Sequence, residues 1–116
     1  MKRIILFLTL ALASCNGRSI ADLGPPPTDY RAQVVKEVQI VFYDPHSIQD
    51  AQISKPFVFS SRWAVCLRAR AKNRLGGYNG LNHHIFLFTG NALTSSMEID
   101  GEVCGRPDYA PFPELI

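Results

Sequence analysis

The sequence has no long apolar run, few cysteines and no excess of either charge, and each lack excludes something. Its longest greasy stretch, Ile4 to Ala13, would rise roughly 15 Å as a helix, about half the hydrocarbon thickness of a bilayer, so a conventional transmembrane helix is excluded. Lys and Arg number 12 against 10 Asp and Glu, with no long block of one sign. A basic surface built for nucleic acid is therefore not expected. G-x-S-x-G, GxxxxGK[ST] and paired-carboxylate motifs are all missing. The three histidines, His46, His83 and His84, lack the spacing of a metal site, and adjacent His83 and His84 would point to opposite faces of a strand. No metal or cofactor is implied. At 116 residues the chain is also too short for separate cofactor and substrate lobes.

What is present is an apolar-rich chain, 47% hydrophobic and 19% charged, which argues against a disordered polymer. Met1-Lys2-Arg3 is a short cationic start, Ile4 to Ala13 an apolar centre, and Ser14 a small residue before Cys15. These are the parts of a secretory signal peptide. Leu12-Ala13-Ser14-Cys15 resembles the lipobox of bacterial lipoproteins. The resemblance implies cleavage before Cys15, a diacylglycerol thioether on its sulfur and an acylated amine. Several acyl chains at about 0.8 kcal/mol per buried CH₂ make a stable anchor, whereas one is marginal. Lys2 and Arg3 would leave with the leader, so ten cations remain against ten acids. Asn16, in place of Asp after the lipidated cysteine, points by the same resemblance to the outer membrane.

Lipidation of Cys15 leaves Cys66 and Cys104. In an oxidising compartment the two are expected to form one disulfide, the alternative being two free buried thiols. Closing a loop of about 39 residues adds roughly 3–4 kcal/mol.

Three segments are expected: a signal peptide over 1–14, a lipidated Pro-rich tether over 15–28, and a small α+β domain over 29–116. The tether, with Pro25-Pro26-Pro27, would reach on the order of 40 Å at about 3.1 Å per residue. In Asp29 to Tyr43, Tyr30, Val34, Val38 and Val41 form a helical stripe, although its β-branched residues also suit a strand. Thr28 or Asp29 would cap this helix and Asp44-Pro45 would stop it. Strands are expected over Gln52 to Phe59, Arg62 to Asn73, His83 to Thr89 and Ala92 to Asp100, with Gly90-Asn91 as a hairpin turn. The expected architecture is one N-terminal helix on a three- to four-stranded antiparallel sheet with one wet face and one disulfide.

Arg62, Arg68, Arg70, Lys72 and Arg74 occupy even positions of the second strand and its continuation, so one face would project them together with Cys66. That face is either an anion-binding surface or a solvated one balanced by Glu98, Asp100 and Glu102. The stretch Ala71 to Gly80 is the most distinctive. Gly76, Gly77 and Gly80 permit positive φ, Tyr78 offers an amphipathic contact, and successive backbone N–H groups would cradle an anion. A wide hairpin turn is the simpler account. Asp44-Pro45-His46-Ser47, Cys66 and this glycine-rich stretch are similar to a family of small proteobacterial envelope proteins with no assigned activity. A partner, if one binds, is expected at Arg70, Lys72, Arg74, Gly76, Gly77, Tyr78 and Gly80. The sequence thus suggests a non-enzymatic, lipid-anchored binding or adaptor module facing an envelope protein or peptidoglycan. The alternative is a small protective lipoprotein that inhibits an envelope-directed hydrolase.

Overall fold

The computed structural model describes residues 20–115. The expected leader, Cys15 and the first part of the tether lie outside these residues. The elements are α1 (Tyr30–Val41), β1 (Gln49–Ser54), β2 (Phe57–Phe59), β3 (Arg62–Arg70), β4 (Asn82–Thr89), β5 (Ala92–Ile99), α2 (Gly101–Cys104) and β6 (Tyr109–Pro111). No helix among the described residues is long and apolar enough to cross a membrane.

The fold is α+β, with one main helix, one disulfide and a six-stranded antiparallel sheet in the order β5-β4-β3-β1-β6, with β2 also paired to β3. The expectation of three or four strands is thereby corrected, for two physical reasons. Pro56 has no N–H to give to a ladder, so the first strand breaks into β1 and β2, which pair with the two ends of β3. The Pro-rich tail, which lies beyond the four expected strands, adds β6 beside β1, with Gln52 opposite Pro111 and Ser54 opposite Tyr109. An edge strand tolerates proline because its outer N–H positions need no partner.

The helix forms where its apolar stripe indicates, and Val34 and Val38 are fully buried. Val41, the last residue of the expected stripe, is exposed instead, because α1 ends there, at the margin of the sheet. Asp29 sits at the N-cap position without a side-chain capping bond. Side-chain bonds latch the helix to β5 instead. Gln33 Oε1 accepts from Leu93 N at 2.7 Å, and Ser96 Oγ donates to Glu37 Oε1 at 3.0 Å.

Two turns set the strand register. Gly90 has φ 59° at the first central position of the β4–β5 hairpin, the arrangement of a type II′ turn. Ser60 and Ser61 have φ 51° and 60° between β2 and β3, the pattern of a type I′ turn, in which serine is strained. Exchanging Ser60-Ser61 for Asn-Gly is expected to stabilise the domain by about 1 kcal/mol, read as a higher urea midpoint. A lower midpoint would show that these serines make contacts worth more than the strain.

Both faces of the sheet are covered. Val65, Leu67, Phe86, Phe88 and Ile53 pack against Val34 and Val38 of α1 and against Phe112 and Leu115 of the tail. The opposite face, expected to be wet and cationic, buries Ala64, Cys66, Ile85 and Leu87 under Cys104. The middle even positions of β3 are Ala64 and Cys66, not cations, so the face is apolar at its centre and charged only toward its ends. The Cys66–Cys104 disulfide straps α2 across it, with Cα atoms 5.7 Å apart.

Part of the expected tether also lies against the domain. Trp63 Nε1 donates to Gly24 O at 3.3 Å, Thr28 N donates to Asn91 Oδ1 at 2.9 Å, and Pro27 is buried. The chain therefore joins the domain at the end of the sheet marked by the β4–β5 turn.

Candidate functional site

The opposite end of the sheet holds the glycine-rich stretch. From Thr89 to Asn82 the strand β4 runs seven steps, roughly 23 Å at about 3.3 Å per residue, and leads from one pole to the other. At this far pole the chain leaving β3 folds over the turn that follows α1. Lys72 N donates to Ser47 Oγ at 2.8 Å, and Tyr78 OH donates to Ser47 O at 2.8 Å. A bridge between Lys72 and Tyr78 closes the loop.

The loop is a built turn, and this changes what it can do. Asn73 Oδ1 accepts from Leu75 N at 2.9 Å and Gly77 N at 3.2 Å, and Gly76 N donates to Asn73 O at 3.0 Å. The N–H groups expected to cradle an anion are thus satisfied by Asn73. Gly76 and Gly80 have φ 80° and 87° and serve the turn by conformation, whereas Gly77 has neither a positive φ nor a crowded Cβ position. Leu75 projects at 94% exposure.

The even-numbered cations do not act as one surface. Arg62 bonds the hydroxyls of Thr89 and Thr94 near the N-terminal attachment. Arg68 donates to Gln52 Oε1 at 2.6 Å and lies 3.9 Å over the Tyr109 ring, holding β6 to the sheet. Arg70 faces Asp50 at 3.6 Å across a separate cleft that also includes Leu81 and Pro111. The partner of Arg70 is therefore on β1, not among Glu98, Asp100 and Glu102, the acids named for the solvated alternative. Only Lys72 and Arg74, of the five, meet at a second cleft, of about 320 Å³. Neither has a carboxylate partner within ion-pair distance among the described residues.

One wall of this cleft is Val41, Phe42 and Tyr43 from the end of α1. The side-chain amides of Asn79 and Asn82 and the half-buried ring of His84 line the other side, with Glu98 beside them. His84 is opposite Glu98 in the β4–β5 ladder, and its ring packs tilted against Phe42 with the ring centres 4.7 Å apart. Among the described residues its buried Nδ1 has no hydrogen-bond partner. An imidazolium would place an unpaired N–H there, so the neutral ring with its proton on Nε2 is the stable form. Burial holds the pKa of His84 below the ordinary histidine value, against a smaller upward pull from Glu98.

Because the folded ring binds a proton less readily than the unfolded chain does, its contribution to stability is intact above about pH 6.5 and is lost as pH falls through the lower folded value. The urea midpoint is expected to drop between pH 7 and 5, and His84→Gln should flatten that drop. An unchanged slope in the variant would refute this assignment. Glu114, held below the usual carboxylate range by Arg31, loses its contribution in a separate window below about pH 4.5.

Of the residues singled out in the sequence for a partner, Lys72 and Arg74 line this cleft, whereas His84, Asn79, Asn82 and the aromatic wall were not named with them. His83, as expected, faces the other way, its ring 3.2 Å from where a Cβ on Gly101 would stand. His46 is exposed in the turn after α1. Among the described residues no group of His, Cys, Asp or Glu is placed to hold a metal ion. No family model, curated protein or solved structure matches the chain.

Proposed function

We propose that the protein is a lipid-anchored binding or adaptor module of the cell envelope, held by Cys15 in the outer membrane and offering its far pole to a partner. One observation carries the reading. Of the seven large hydrophobic side chains exposed among the described residues, six, Ile40, Val41, Tyr43, Leu75, Tyr78 and Leu81, come from the two segments that meet at that pole. Lys72 and Arg74 stand among them without carboxylate partners within ion-pair distance among the described residues. Apolar side chains gathered in one place and edged by charge mark an interaction surface, and Tyr and Arg are common hot-spot residues. The pole lies opposite the point where the chain around Gly24 joins the domain, which would leave it open to a partner on a lipid-anchored protein.

Two measurements test this. Cys15→Ala should move the protein from the membrane to the soluble fraction, and mass spectrometry of the extracted wild type should show an acylated N-terminal cysteine. A photo-crosslinker at Leu75 should capture a discrete envelope partner in cells, while one at exposed Met97, outside this group, should not. Arg74→Ala is the informative substitution. Tyr78→Ala is not, because the Tyr78 hydroxyl holds the loop to Ser47. The projecting Leu75 also suits a second reading, in which the loop inserts into an envelope hydrolase as an inhibitor. A crosslink to one such enzyme, with loss of its activity, would select that reading.

A further inference from the structure

The cleft beside the loop combines groups that a simple anion would not need. Lys72 and Arg74 on its lining attract negative charge, but the exposed Glu98 on the same lining repels it. Sulfate or a bare carboxylate only accepts hydrogen bonds, as the Glu98 carboxylate does, so a ligand that matches all of these groups must also carry donors. Asn79 and Asn82 present amides that both donate and accept. Neutral His84 offers a donor from a ring whose other nitrogen is buried. Val41, Phe42 and Tyr43 supply an apolar wall with aromatic rings. The volume, about 320 Å³, is at the small end of ligand pockets.

From these groups we infer that the cleft binds an acidic saccharide, one sugar ring that carries a carboxylate. The carboxylate takes Lys72 and Arg74 at the rim. The hydroxyls donate to Glu98 and exchange hydrogen bonds with Asn79, Asn82 and His84. The apolar face of the ring lies on the wall formed by Phe42 and Tyr43, as sugar faces lie on aromatic rings. The inference deepens the binding-module reading and rests on it, since it names what that pole recognises. Acidic sugars of the cell wall and of secreted polysaccharides share this chemistry.

The test is an NMR titration of the full chain in detergent micelles with N-acetylmuramic acid and, separately, with glucuronic acid. Shifts are expected at Asn79, Asn82, His84 and Tyr43 and not at the distal Asn91. Response to the first sugar alone assigns a cell-wall source, and response to both assigns the wider class; either supports the site. N-acetylglucosamine, which lacks the carboxylate, should bind about tenfold more weakly, as should the wild-type acid ligand to Arg74→Gln, because a charge-assisted hydrogen bond is lost. The exposed Arg74 is replaced without touching the core, and Arg31→Gln, outside the cleft, should leave binding unchanged. Equal binding of N-acetylglucosamine, the same shifts with acetate alone, equal binding of an acidic dipeptide, or no shifts with either acid sugar would each overturn the inference. If the sugars fail while the crosslink at position 75 persists, the binding-module reading stands and only the ligand class falls.

Discussion

Replacing Cys104 by serine is expected to lower the unfolding free energy by about 3–4 kcal/mol, the loop-closure contribution of a bridge spanning 38 residues. For a domain of this size each kcal/mol moves Tm by about 4–8 °C, so the shift should exceed roughly 10 °C. Both sulfurs are fully buried among Ala64, Ile85 and Leu87, and a serine hydroxyl there would lack a ready partner, which adds to the loss. Reduction of the wild type should reproduce most of the effect. A reduced protein as stable as the oxidised one would show that packing of α2, not the cross-link, holds this face.

Phe112→Ala should cost about 3–5 kcal/mol, the range for a fully buried aromatic truncated in a core. Phe112 closes the first core beneath Arg31, whose guanidinium lies 5.0 Å from the ring centre, and its N–H donates to Ala51 O at 2.9 Å. The neighbouring ion pair offers an internal contrast. Arg31 and Glu114 meet at 2.6 Å, yet both are well exposed, so Glu114→Gln should cost only about 0–1 kcal/mol. Urea denaturation of the two variants decides whether packing or charge fastens the C-terminal tail. A larger loss for Glu114→Gln would invert the account.

Much of the frame is legible in the residues. The stripe Tyr30, Val34 and Val38 marks the helix, Gly90-Asn91 marks the hairpin, and the pairing of Cys66 with Cys104 agrees with the cysteine count. The cleft is not legible, and a single residue explains why. Counted back from the Gly90-Asn91 turn, His84 would face Met97. A bulge between Leu87 and Phe88 admits one extra residue on β5, so Glu98 comes opposite His84 and Met97 turns outward. A shift of one residue exchanges the two faces of a strand, and nothing in Leu93-Thr94-Ser95 announces it. The sixth strand was hidden for a different reason. Tyr109–Pro111 has the composition of a loop, and it is held in the sheet by Arg68 across the Tyr109 ring, a contact made from far along the chain.

The docking of Gly24 and Thr28 onto Trp63 and Asn91 has a consequence for how widely an anchored domain could search. A leash from Asn16 to Thr28 would sweep a radius on the order of 40 Å at about 3.1 Å per residue. With Asp22 and Leu23 already beside Ser61 and Trp63, at most the residues before Asp22 remain to span, on the order of 20 Å even if fully extended. Halving the radius shrinks the swept volume roughly eightfold and raises the effective molarity of the far pole toward anything fixed at that height by the same factor. Partners beyond that reach would, on a lipid-anchored chain, be excluded by length alone. On a lipid-anchored chain the buried Pro27 would thus act as a ruler, selecting targets by their distance from the membrane as well as by their chemistry.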